Sequence, residues 1–170
     1  MREKVLELGL DTWFHPSVDV QRKDDSDLYA FDGLSKFDII QPGDLIHCDF
    51  GITYLTLNTD TQELGYILKP GETKAPNYLV SAMKDGNRVQ DIFTNNFKYG
   101  ATGNEILKKS LEEGIAEGLR PSIYTHPLGT YGHSAGTTLG MWDSQDGVPF
   151  TGDYPLQYLS LIHISEPTRR

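Results

Sequence analysis

"HCDFGITYLTLNTDTQ", His47–Gln62, places two aspartates, Asp49 and Asp60, among strand-forming residues running from Phe50 to Leu57. Aspartate is depleted in strands because its short side chain competes with the ladder for backbone hydrogen bonds. The spacing of eleven narrows the geometry. On one continuous strand, residues an odd number apart point to opposite faces. A hairpin centred between Tyr54 and Leu55 instead sets Asp49 directly opposite Asp60, on one face at about 5 Å, where like charges repel. Three arrangements relieve the repulsion: a cation held between the carboxylates, a proton on one of them, or an offset that exposes both. The turn itself has poor chemistry, since Thr53–Leu57 contains no Gly, Asn, Asp or Pro.

The flanking segments extend the pattern. "SVDVQR" (Ser17–Arg22) alternates as a short strand, and Pro42-Gly43 turns into a strong strand from Leu45. A second strand runs through Leu57–Asp60, and "TQELGYILKPGE" continues extended until Pro70-Gly71. Pro76 then opens a helix whose Leu79, Val80, Met83, Val89, Ile92, Phe93 and Phe97 approximate one face. "TGNE" (Thr102–Glu105) is a capping box that starts a second helix carrying Ile106, Leu107, Leu111 and Ile115 and closing at Gly118. After Pro121 the chain is rich in glycine. At the start, Val5, Leu6 and Leu8 make the apolar face of a last helical turn, with Gly9 as left-handed cap and Leu10 as the contact beyond it. Strands flanking a helical pair make the class α+β.

Composition excludes several functions. A net charge of -9 speaks against nucleic-acid binding through a basic surface. No apolar run approaches the roughly 18 residues of a membrane span. A length of 170 residues suits one ordinary domain. The lone Cys48 cannot form an internal disulfide, which favours a reducing compartment such as the cytoplasm. The acidic cluster "RKDDSD" (Arg22–Asp27) reads as a solvated loop.

The two ends raise different questions. Leu159–Arg169 resembles the in-frame translation of a transposase adapter used in sequencing libraries. The expectation is native sequence over residues 1–158 and a non-native tail over 159–170, excluded from fold reasoning. Met1 reads equally well as an internal methionine of a longer gene, so the lack of a leader carries no information.

His133 lies in "YGHSAG", where flanking glycines allow close backbone approach and a neutral imidazole suits first-row divalent metals. Alone it is as readily a loop histidine. Together with "GDLIHCDFG", the aspartate eleven residues later and the helical pair, "GHSAG" resembles the metallopeptidases of the pita-bread fold, the methionine aminopeptidase, aminopeptidase P and prolidase group. The resemblance covers about Leu6 to Tyr158. "WFHPSVDVQR" and "GMWD" followed by "GDYPL" look most like a bacterial Xaa-Pro aminopeptidase-like branch.

What the resemblance implies is specific. The fold is a partial pita-bread fold lacking an N-terminal part and the C-terminal closing strands. Asp49 binds one metal, Asp60 bridges two, and His133 ligates the first. Two divalent ions, manganese, cobalt, zinc or iron, assist hydrolysis of short peptides with proline second. Two glutamate ligands belong to later strands, so three of five ligands are present and the chain alone is expected to be inactive. Glu63, Glu72, Glu105, Glu112, Glu113 and Glu117 precede His133 and cannot replace them in order. His126 resembles a substrate-side catalytic histidine, although it stands seven residues before His133 where relatives have four. His47, two residues before Asp49 on the same strand face, supports the ligands from behind or packs in the core. Expected partners are a short peptide and, for the intact parent, a second copy of itself, with no nucleic acid and no membrane. A non-catalytic peptide- or protein-binding relative and a metal-independent creatinase-type amidinohydrolase are the alternatives, and both usually lose metal ligands.

Overall fold

A computed structural model describes residues 1–23 and 39–163. In chain order the elements are α1 (Arg2–Glu7), β1 (Asp11–Thr12), β2 (Ser17–Arg22), β3 (Asp44–Phe50), β4 (Ile52–Tyr54), β5 (Leu57–Asn58) and β6 (Thr61–Tyr66). The helices α2 (Asn77–Asn95) and α3 (Gly103–Ala116) follow, then a single 3₁₀ turn at Thr151–Asp153. The α+β class is as expected. Contacts divide the chain into two compact units, Met1–Leu55 with Thr59–Leu79, and Thr56–Asn58 with Val80–Arg170.

The first unit is built on β3, the middle strand of an antiparallel sheet ordered β2-β3-β6. One buried ion pair clamps β2 to β3. Arg22 stands directly across the ladder from Asp44 and gives it two hydrogen bonds, Nε to Oδ1 at 2.7 Å and Nη2 to Oδ2 at 2.8 Å. The Gln41 N–H adds a third at 2.7 Å. These bonds compensate the cost of burying a carboxylate that is 1% exposed. At the start of this unit, α1 ends as expected: Gly9 takes φ +70, its N–H reaches Leu6 O and the Leu10 N–H reaches Val5 O. The expected apolar face is narrower, however. Val5 is buried while Leu6 and Leu8 face solvent, because a six-residue helix covers the unit with one position only.

The hairpin register differs from the expected one. Phe50 pairs with Thr61 and Asp49 with Gln62. The same register continues where the Thr59 N–H donates to Ile52 O at 2.9 Å. The reversal therefore centres between Leu55 and Thr56, one residue further on than Tyr54-Leu55. Both residues take positive φ, 47° and 67°, the two-residue pattern that Asn-Gly usually supplies. The expected strand over Leu57–Asp60 is cut short, with Asp60 lying just outside β6.

The second unit has its core between the C-terminal half of α2 and α3. Val89, Phe93, Ile106, Leu107, Ile123, Leu139 and Leu156 form it, with Phe97 and Leu111 packed at its edge. Thr102 and Glu105 make the expected capping box, 3.2 Å to the Glu105 N–H and 2.8 Å from the Thr102 N–H. Val80, Met83 and Ile115, expected on the buried faces, are exposed, since the core reaches neither the first turns of α2 nor the last of α3. Beyond α3 the chain is held by isolated bridges. Thr125 pairs with Leu139, and Pro127 pairs with Ile162 in the segment set apart as a tail. The His163 N–H donates to His126 O and the Leu128 N–H to Leu161 O, both at 2.9 Å. Most of the acidic stretch, Asp24–Asp27, and tail residues 164–170 lie outside the described residues.

Candidate functional site

The pleat of β3 puts His47 and Asp49 on one face and Asp44, Ile46 and Cys48 on the other. With Asp49 paired to Gln62, Asp60 occupies the diagonal position two residues back, still on Asp49's face and within side-chain reach. Sharing a face was the correct expectation; standing directly opposite was not. The closeness is permitted by Gly51, where a β-carbon would collide with the Thr59 carbonyl oxygen, Trp13 Nε1 and the Phe14 ring. Trp13 Nε1 donates to that Thr59 carbonyl at 2.6 Å, which fixes the backbone immediately before Asp60.

Asp49 is poorly accommodated as an anion. Its carboxyl is pushed up to about 6, first by burial and next by the Asp60 charge, while His47 and Gln62 pull it down. A shared hydrogen bond with Asp60 also raises it, because that bond exists only when one carboxyl carries a proton. Asp49 Oδ1 is buried with no hydrogen-bond partner, and Oδ2 accepts a long 3.4 Å contact from the Gln62 amide. Two oxygen donors, one of them buried and unsatisfied, fit a hard or borderline divalent cation. Of the three arrangements open to the pair, mutual exposure is the one the half-buried carboxyls exclude.

His47 lies directly across the ladder from Asp19, with Nδ1 3.8 Å from the Asp19 carboxylate. It stands on the ligand face, as expected, with an acidic partner of its own. Three of the glutamates before His133 have structural partners beyond the capping Glu105. Glu72 accepts from the Lys69 N–H and Tyr66 Oη, Glu113 from Asn96, and Glu117 pairs with Arg88.

In the second unit, three imidazoles cluster. The His126 ring lies 4.1 Å from that of His133 and 4.8 Å from that of His163, centroid to centroid. His126 and His163 are buried while His133 is exposed. His126 Nδ1 stands 3.2 Å from the Pro127 carbonyl, a contact that needs the proton on Nδ1. The "GHSAG" loop folds back over Pro127, whose carbonyl accepts from the Ser134 N–H at 2.9 Å.

Three neighbours escaped the sequence reading. Gln62 and Asp19 follow from the ladder register, which the sequence did not fix. His163 was set aside with the tail.

No family model matches the chain, and no curated protein matches it in sequence. Among solved structures, the X-Pro aminopeptidase of Thermotoga maritima MSB8 superposes with a TM-score of 0.69 at 17% identity, over 96% of this chain and 42% of that one. A dipeptidase of Pyrococcus horikoshii OT3 gives 0.69 at 17%, over 98% and 42%. The N-terminal domain of FACT complex subunit SPT16 from Cicer arietinum (chickpea) gives 0.57 at 12%, over 96% and 38%. The chain thus spans about 42% of the length of the first two structures. At such identities the likeness establishes fold, and the fold is part of the pita-bread fold.

Proposed function

We propose that the chain is part of a dinuclear metal-dependent peptidase acting on short peptides, with Xaa-Pro bonds as preferred substrate. The single observation that carries this reading is the Asp49–Asp60 pair, a half-buried carboxylate couple with one unsatisfied oxygen on the sheet face. Asp49 and Asp60 would hold the ions, with His133 as the imidazole ligand that "GHSAG" implies. Manganese, cobalt, zinc or iron bound there would supply a water of lowered pKa and polarise the scissile carbonyl. Gln62 and His47 fix and partly neutralise Asp49. His126 would serve as the substrate-side histidine that the resemblance implies. Two glutamates supplied by sequence beyond Tyr158 would complete the ligands, so the chain alone turns over little or nothing. A reducing compartment and a homodimeric parent belong to the same reading.

The test is hydrolysis of Xaa-Pro and Xaa-Ala dipeptides by a longer protein containing residues 6–158 followed by closing strands. Turnover that prefers proline, disappears in chelator and returns with manganese supports the proposal. A second reading, a non-catalytic binding protein, draws on a neighbour whose name is that of a complex subunit and not of a peptidase. It requires peptide or protein binding that ignores metal and no turnover with any divalent ion. Retention of both aspartates speaks against a metal-free amidinohydrolase, which would keep full activity in chelator.

A further inference from the structure

We propose that Trp13 is a positioning residue for the carboxylate pair, its indole N–H turning the peptide before Asp60 so that Asp60 can share a cation with Asp49. The inference rests on reading that pair as a metal centre. Continued past Phe50 and Thr61, the ladder register sets Ile52 opposite Thr59 and Gly51 opposite Asp60. The Thr59 N–H donates to Ile52 O at 2.9 Å, so these two are a hydrogen-bonded pair, which in a regular ladder exchanges both bonds. Here the second bond changes its acceptor. The Ile52 N–H donates to the Thr59 hydroxyl at 3.1 Å, and the Thr59 carbonyl accepts from Trp13 Nε1 at 2.6 Å.

This swap acts directly on the ligand. A carbonyl shares one rigid plane with the amide that follows it, so turning the Thr59 carbonyl sets the direction in which the chain enters Asp60. The indole reaches that carbonyl through the vacant side-chain position of Gly51, across from Asp60. A β-carbon there would meet Trp13 Nε1, the Phe14 ring and the Thr59 carbonyl oxygen. Two features brace the indole. Thr12, the residue before it, pairs with Ile52, and the Phe14 ring packs edge-on against it at 4.6 Å and 72°. All of these groups belong to the first unit. A contact serving stability alone would leave the ladder bond in place; this one displaces it immediately before a carboxylate of the pair.

The experiment titrates manganese(II) into the whole chain and its Trp13→Phe and Thr59→Val variants by calorimetry, with circular dichroism melts of each. Phenylalanine keeps an aromatic ring and loses the donor, which lets the Thr59 carbonyl return to Ile52. Valine keeps the shape of threonine and loses the hydroxyl, so the Ile52 N–H competes with Trp13 for the carbonyl. Each variant is expected to bind manganese about tenfold more weakly, as loss of an outer partner of a metal ligand does, while still melting cooperatively. Nuclear magnetic resonance of the indole N–H groups in the unsubstituted chain gives a second readout. Zinc, which is diamagnetic, should slow solvent exchange of the Trp13 Nε1 proton, because coupling between metal and hydrogen bond is reciprocal. Folded variants that bind manganese as tightly as the parent, or indole exchange unmoved by zinc, would overturn the proposal and leave the carboxylate centre standing. Absence of manganese binding by the parent chain would overturn both.

Discussion

Asp44 and Asp49 lie five residues apart on one strand, yet their surroundings push them in opposite directions. The hydrogen bonds from Arg22 hold Asp44 below the model-peptide value of 3.8, outweighing the effect of burial. Its contribution is therefore fully present above pH 3.8 and lost as pH falls through the folded value. Arg22→Met, which strands a buried charge, should cost about 3–5 kcal/mol at pH 7 in urea unfolding. Asp49 has the reverse sign. With its folded value near 6 and its unfolded value near 3.8, the metal-free protein binds the extra proton, so its stability falls as pH rises between them. Asp49→Asn should accordingly raise the melting temperature of metal-free protein at pH 7.5 and flatten its dependence between pH 4 and 6. A substitution that stabilises the fold while removing a ligand is the signature of a residue kept for function. An unchanged or lower melting temperature would show that Asp49 is already satisfied.

At the scale of elements, the turn decides how much was legible. The expectation that Asp49 and Asp60 share a face held because the observed register differs from the expected one by two residues, an even shift that leaves each side chain on its own face. The register was not legible, since Leu55 and Thr56 carry none of the chemistry that normally announces a positive-φ turn. Asn-Gly there should stabilise the protein by roughly 1–3 kcal/mol by relieving left-handed strain at two side-chain-bearing residues. Equal or lower stability in a denaturant melt would mean that the strain is offset locally. Gly51→Ala should act the other way, displacing Thr59 and Trp13 and lowering both stability and metal affinity. The helices teach a similar limit. Their periodicity identified the face containing Val89, Ile92 and Ile106, but not that Val80, Met83 and Ile115 would lie past the end of the core. Amphipathic spacing reports a face, whereas its covered length depends on what packs against it.

Across the whole molecule, the fold was readable because its marks are local: a Pro-Gly turn, a capping box, and two aspartates on one pleat face. The His126–His163 pair was unreadable, since antiparallel pairing across a separation of 37 residues leaves no periodic trace. The carboxylate couple links fold to function, since it is the feature for which a purely structural role has least to offer. Its most direct test is manganese binding by calorimetry at pH 7.5, comparing the chain with its Asp49→Asn and Asp60→Asn variants. The expected result is measurable binding accompanied by a rise in melting temperature, weakened at least tenfold by either substitution. Manganese affinity and melting shift unchanged in both variants would contradict the assignment of Asp49 and Asp60 as a metal centre.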